Sequence, residues 1–124
     1  MTSRILIVDD DEQDRALYQA WLSDEYEITE ATNGEDGVRK CLETPPACVI
    51  MDFMMSGSDG FHALIELRKM LNSEVPIIFT TDYGNKEVEE DALALGATAY
   101  IPKSELSSTQ LKETLINAIE AAQL

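Results

Sequence analysis

Certain side chains stand out because each follows a short apolar run. Asp9 and Asp10 close Ile5-Leu6-Ile7-Val8, and Asp52 closes Cys48-Val49-Ile50-Met51. Thr80 and Thr81 end the run that begins at Val75, and Lys103 follows Thr98 to Ile101 and Pro102. Asp52 stands 43 residues after Asp9, Thr81 29 after Asp52, and Lys103 22 after Thr81. If the runs are parallel strands, the first interval has room for two crossovers and the others for one each. All these side chains then converge on one rim. Carboxylates so crowded resist joint ionisation unless a cation is supplied. A hard divalent ion such as Mg²⁺ or Mn²⁺ resolves that conflict, bound by carboxylates, water and main-chain oxygen. One carboxylate is then a nucleophile toward a phosphoryl group whose oxygens the metal and the lysine neutralise, with a threonine hydroxyl donating to them. The chemistry that fits is a Mg²⁺-assisted aspartyl phosphate.

The neighbouring polar residues have plainer readings. Asp11 and Glu12 suit a helix cap and solvent charges. His62 is the lone histidine, without a metal-ligand companion at helical spacing, and reads as a surface residue. Glu87, Glu89 and Glu90 form a solvated face, Trp21 is core or half-core packing, and Thr80 reads as an ordinary strand-end residue.

The elements that must position the rim follow from composition and pattern. The 124 residues are 44% apolar, 27% charged and 6% aromatic, enough for one domain to bury a core without disulfides. No run approaches the roughly 18 apolar residues of a membrane span. The start, Met1-Thr2-Ser3-Arg4, leads straight into a strand-like segment rather than a signal peptide. Cys41 and Cys48 are too few for a disulfide framework and read as reduced cytosolic thiols, which implies a cytoplasmic protein. Asp and Glu outnumber Lys and Arg by 24 to 9, a net charge of −15. That balance disfavours direct binding to nucleic acid or membrane and favours basic surfaces and cations.

The runs at 5–8, 48–51 and 75–79 are continuously apolar, as in strands buried on both faces. Tyr26-Glu27-Ile28-Thr29 alternates and Thr98 to Ile101 is blunted by Pro102, so these two are edge strands. Five helices lie between and after them. The first carries Ala16, Leu17, Ala20 and Trp21 on one face. The second opens at Asn33-Gly34, turns Val38, Cys41 and Leu42 inward and ends at Pro45-Pro46. The third, after a Gly/Ser loop from Ser56 to Gly60, turns Phe61, Leu64, Ile65 and Leu71 inward. The fourth spans Asn85 to Leu95 and stops at Gly96. The last repeats Leu111, Leu115, Ile119 and Ala122. The alternation predicts an α/β fold: a flavodoxin-like doubly wound (βα)5 with a five-stranded parallel sheet in order 2-1-3-4-5, helices on both faces, and a crevice at the carboxyl ends of strands one and three.

Four motifs occur in order at these rim positions: Ile5 to Glu12, Val49-Ile50-Met51-Asp52 with Asp59-Gly60, Pro76 to Thr81, and Gly96-Ala97 with Tyr100-Ile101-Pro102-Lys103. Together they resemble the receiver domains of two-component response regulators, a family that includes single-domain chemotaxis regulators, over essentially residues 1–124. The resemblance implies that Asp52 is the phosphoacceptor. It implies that Asp9 and Asp10 hold Mg²⁺ (or Mn²⁺) together with Asp52 and the main-chain carbonyl of Met54. Lys103 matches the lysine that pairs with the phosphoryl group. Thr81, five residues after the strand-opening Pro76, matches the switch hydroxyl, and Tyr100 matches the aromatic that turns inward when that hydroxyl closes. The implied donor is a phosphohistidine on a sensor histidine kinase or phosphotransfer protein. The implied output is a changed face of helix four, strand five and helix five, read by a downstream protein or effector domain. Such a domain promotes its own phosphorylation and dephosphorylation and is not a conventional turnover enzyme.

Departures from the family pattern carry their own expectations. Asp82 stands where a small residue is usual and should either oppose a phosphate or point away. Ser56 replaces a common proline, which would soften its loop. Ser104 follows Lys103 where proline is commonest, and a cis bond there would cost about 3 kcal/mol. The Met54 side chain is expected to hinder the attacking water and lengthen the life of the phosphate.

Flavodoxin-like electron carriers share the strand order but cradle flavin phosphate in a polar uncharged loop, and Asp9-Asp10-Asp11-Glu12 would repel it. A haloacid-dehalogenase-type phosphatase needs a cap for which this chain has little material. The alternative of weight is a receiver-like interaction module that works without phosphorylation. With the fifth helix reaching Leu124, the chain is expected to carry no effector of its own. Homodimerisation through helices four and five is left open.

Overall fold

Ile5 and Ile7 point to one face of their strand and Leu6 and Val8 to the other, and all four are buried. That pattern demands a layer of helices on both sides, and the chain supplies them. The computed structural model describes residues 3–55, 58–70, 75–82 and 85–123, the side chains of Met54, Met55, Ser58, Asp59 and Met70 excepted. In chain order the elements are β1 (Arg4–Val8), α1 (Glu12–Leu22), β2 (Glu27–Ala31), α2 (Gly34–Glu43), β3 (Cys48–Asp52), α3 (Gly60–Met70), β4 (Ile77–Thr81), α4 (Lys86–Ala94), β5 (Ala99–Pro102) and α5 (Ser108–Ala122). Between β3 and α3 lies a two-residue antiparallel ladder pairing Met54 with Asp59 and Met55 with Ser58, and a short 3₁₀ turn, Lys103–Glu105, follows β5.

The main sheet runs β2-β1-β3-β4-β5, with every pair parallel. This is the flavodoxin-like 2-1-3-4-5 order expected from the pattern. Leu6, Val8, Val49, Met51, Ile77 and Phe79 face one core layer with Val38 and Cys41 of α2, Leu64 and Leu67 of α3, and Ala92 of α4. Ile5, Ile7, Ile50 and Ile78 face the other, with Tyr18 and Leu22 of α1 and Leu111 and Leu115 of α5. β2 and β5 are only half buried along most of their length, as edges should be.

Side-chain caps set the helix starts. Asp11 accepts from the N–H of Gln13 (2.8 Å), Asn33 from Asp36 (2.7 Å), Asn85 from Val88 (2.9 Å) and Ser107 from Gln110 (3.1 Å). α4 ends as expected at Gly96, whose φ of 112° is a backbone conformation that residues with side chains rarely adopt. Arg68 of α3 reaches across to this turn: its Nε and Nη2 donate to Gly96 O at 2.9 and 2.7 Å, and its Nη1 to Val75 O at 2.7 Å.

Some inward faces differ from the sequence reading. In α1, Ala16, Leu17 and Ala20 are exposed, Trp21 is half-buried, and Tyr18 and Leu22 fill the core. The apolar count missed this phase because the buried stripe contains a phenol. Leu42 is 44% exposed; it sits one residue, about 100° of helix, beyond the stripe formed by Gly34, Gly37, Val38 and Cys41. In α5, Ala118 is buried while Ile119 is half-buried and Ala122 exposed. Phe61 and Ile65 are half-buried, Ala63, Leu64 and Leu67 are fully buried, and Leu71 lies outside the described residues. β4 runs two residues later than its apolar run and takes in both threonines. Cys41 and Cys48 are free and buried, burial pushing both thiols up to about 12. Among the described residues no helix is long and apolar enough to cross a membrane.

Candidate functional site

At the rim, β1 pairs Val8 with Met51, β3 pairs Asp52 with Thr80, and β4 pairs Thr81 with Pro102. The residues just past these pairs therefore converge. The Asp9 N–H continues the ladder to Ala31 O (3.1 Å), and its carbonyl is gripped by Arg15 Nη1 at 2.7 Å while Arg15 Nε holds Glu30 at 2.9 Å. That grip fixes the backbone from which Asp10 projects.

Asp9 is 1% and Asp52 4% exposed, and Asp10 is open to solvent. One oxygen of each lies within 4.8 Å of the others. Burial raises the Asp9 carboxyl above its ordinary value, against the pull of the Asp11 N–H, bonded at 2.9 Å, and of Lys103.

Lys103 opens the 3₁₀ turn and folds back over the cluster. Its Nζ donates to Asp14 Oδ2 at 2.6 Å, Asp9 Oδ2 at 3.0 Å and Asp52 Oδ2 at 3.3 Å, and stands 4.0 Å from Asp82 Oδ2. Burial alone would lower its pKa. The hydrogen bond to Asp14 and the fields of Asp9 and Asp52 outweigh that and hold it above the ordinary lysine value. Asp82 is 62% exposed: it points mostly to water yet remains beside the lysine. One ammonium thus faces an excess of carboxylates, a net negative pocket of hard oxygen donors. That donor set fits a divalent ion of the Mg²⁺ or Mn²⁺ type, with Asp9, Asp10 and Asp52 to hold it.

The two threonines separate clearly. Thr80 donates to Met51 O (3.4 Å), so it ties β4 to β3, with the buried Tyr18 phenol of α1 near it. Thr81 is fully buried one residue on, opposite Pro102. Tyr100, in register with Phe79, packs against the core layer that contains Phe79 and Ala92. Its hydroxyl is shielded and has no hydrogen-bond partner among the described residues. Burial raises its pKa, and Glu89 and Glu105 add to that.

The segment after Asp52 turns back tightly. Phe53 N–H donates to Thr80 O (2.8 Å) and Gly60 N–H to Phe53 O (2.6 Å). Met54 contributes its backbone to the short ladder there; its side chain and the whole of Ser56 lie outside the described residues. No cis peptide occurs among the described residues, Lys103-Ser104 included. His62 is exposed beside Glu66 on α3, and Glu87 and Glu90 are exposed on α4.

Asp9, Asp10, Asp52 and Lys103 are gathered as the spacing required. Asp14, Arg15 and Tyr18, all on α1, escaped the sequence reading. Their signal was position at the helix start: Asp14 lies three residues past the Asp11 cap, on the first turn of α1.

Residues 5–116 match the family described as response regulator receiver domain. Transcriptional regulatory protein SrrA of Staphylococcus aureus is 35% identical over 104 residues, covering 83% of this chain and 42% of that protein. The chain therefore spans less than half the length of the curated relatives it matches. Among solved structures, a CheY-like response regulator receiver domain protein from Methanospirillum hungatei superposes with a TM-score of 0.92 at 25% identity, covering 99% of this chain and 98% of that one. NtrX from Brucella abortus gives 0.89 at 29% identity over 99% of this chain and 28% of its own. With the matched family spanning all five strands, the chain belongs to the response regulator receiver domains.

Proposed function

We propose that this chain acts in a phosphorelay by accepting a phosphoryl group on Asp52 from a phosphohistidine. The observation that carries the reading is the placement of Asp52: buried at the end of β3, 3.3 Å from Lys103 Nζ and sharing a 4.8 Å cluster with Asp9 and Asp10. An Asp52 carboxylate oxygen attacks phosphorus, a P–O bond forms, the N–P bond breaks, and the imidazole leaves with its electron pair and takes a proton. Hydrolysis returns inorganic phosphate and the free carboxylate, so one group is carried per cycle and no second substrate is turned over.

Asp9, Asp10, Asp52 and the main-chain carbonyl of Met54 are the groups assigned to Mg²⁺ or Mn²⁺, which when bound supplies positive charge to the transferring oxygens. Lys103 supplies charge from the other side and Thr81 a hydroxyl. Movement of Thr81 toward the phosphoryl group would draw in Tyr100, whose unpaired hydroxyl makes its present position a costly one. The α4–β5–α5 face is then altered for a downstream protein or an effector domain. The donor is a sensor histidine kinase or phosphotransfer protein. The net charge of −15 on these 124 residues favours a basic protein partner over nucleic acid, while the longer relatives are named transcriptional regulatory proteins. We assign residues 1–124 to one receiver unit working in the cytoplasm, as a monomer or a homodimer.

Incubation with acetyl phosphate and Mg²⁺ should add one phosphoryl group by intact mass, and Asp52→Asn should abolish the gain. No gain under saturating donor overturns the proposal in favour of an interaction module that works unphosphorylated.

A further inference from the structure

Lys103 has three N–H donors, and three carboxylates receive them, with Asp14 nearest at 2.6 Å and Asp52 farthest at 3.3 Å. The ammonium therefore lies closest to the one acid outside the Asp9–Asp10–Asp52 cluster. Asp14 stands on the first turn of α1, where the Asp11 cap accepts its N–H. Its side chain is 27% exposed, against 1% for Asp9 and 6% for Asp52. Asp9 is fixed from several sides, by the Asp11 N–H on its carboxylate and by Arg15 on its carbonyl. Asp14 has Lys103 as its salt-bridge partner among the described residues.

We propose that Asp14 is a positioning residue that draws the Lys103 ammonium toward α1, so that its bonds to Asp9 and Asp52 are longer than its bond to Asp14 and a divalent cation displaces it from their oxygens more readily. Without Asp14 the ammonium draws closer to Asp9 and Asp52 and competes more strongly for the oxygens the cation needs. The effect on cation binding stands apart from the phosphoacceptor reading; only its consequence for phosphoryl uptake rests on that reading. Asp82 provides the internal comparison. It carries the same charge and also faces Lys103, but at 4.0 Å and 62% exposed it is beyond hydrogen-bond reach and well solvated.

Calorimetric titration of Mg²⁺ into the whole chain, without phosphodonor, tests this. Asp14→Asn should weaken binding by about three- to tenfold, the scale of losing one charge-assisted contact at a partly solvated site. Asp82→Asn should weaken it by less than about twofold, since an exposed charge is screened. Asp14→Glu, still able to reach Lys103, should restore most of the parent affinity. Asp14→Ser replaces Asp14→Asn should thermal unfolding show the latter to be misfolded. The proposal is overturned if Asp14→Asn titrates like the parent, if Asp82→Asn weakens binding as much, or if the parent binds no Mg²⁺. Acetyl phosphate uptake is read separately. The expected order of Mg²⁺ affinities with no phosphoryl gain would retire the phosphorelay reading and leave the role of Asp14 standing.

Discussion

Gly60→Ala puts the packing around Asp52 to a direct test. A methyl group built on Gly60 would lie 2.5 Å from the Asp52 carbonyl oxygen, 2.9 Å from Phe79 Cζ and 3.0 Å from Phe53 Cα. Two of these are backbone atoms and cannot swing aside, so the chain itself must shift. Overpacking of this kind costs about 1–3 kcal/mol. The shift also strains the 2.6 Å bond from Gly60 N–H to Phe53 O, whose loss costs about 1 kcal/mol more. Against this, alanine at a helix position returns at most about 1 kcal/mol, and less at the first residue of α3. Clash outweighs propensity, for a net loss of about 2 kcal/mol. Urea unfolding followed by circular dichroism should show a lower midpoint at unchanged m-value. Because the displaced atoms belong to the proposed acceptor, uptake of phosphoryl from acetyl phosphate should slow as well. An unfolding free energy within about 0.5 kcal/mol of the parent would refute the idea that only glycine fits here.

Tyr100→Phe removes a shielded hydroxyl without a described partner, so it should stabilise the unphosphorylated chain by about 1 kcal/mol in the same urea assay. Asp9 titrates above its ordinary 3.8 because burial disfavours its charge. The folded chain therefore binds that proton more tightly than the unfolded one. Its contribution to stability is full below pH 3.8 and is lost as pH rises through the raised folded value. Unfolding midpoints of Asp9→Asn should accordingly fall less steeply over that rise than those of the parent. Leu64→Ala should cost about 2–5 kcal/mol, whereas Leu42→Ala, at a position 44% exposed, should cost under about 1 kcal/mol.

Strand-end chemistry was legible because apolar runs stop where polar work begins. Val8 gives way to Asp9 and Met51 to Asp52, and parallel crossovers leave no other rim for them to share. Edge strands were legible from the wet alternation of β2 and the proline of β5. Helix phase was legible in part: Val38, Cys41, Leu64, Leu111 and Leu115 are buried as expected, but α1 is not in the expected phase. The inward face of α1 is anchored by Tyr18, a residue whose ring is fully buried although it carries a polar hydroxyl. A count of apolar residues placed Leu17 inward instead, and with the phase wrong the position of Asp14 over Lys103 could not be seen. Leu42 failed for the same reason, one residue off a stripe made partly of glycine. The partners of Thr80 and the orphan hydroxyl of Tyr100 depend on neighbours far away in the chain, which spacing does not reveal.

Arg68 has a mechanical corollary. One guanidinium clasps the turn that ends α4 and the chain entering β4, while the other end of α4 rests on the exposed Asn85 cap. The helix is thus riveted at its tail and latched lightly at its head, so any tilt of it should pivot on the Gly96 end. Amide hydrogen exchange should be faster at Val88 to Glu90 than at Leu93 to Gly96. A signal arriving from the rim would be delivered as a change of tilt.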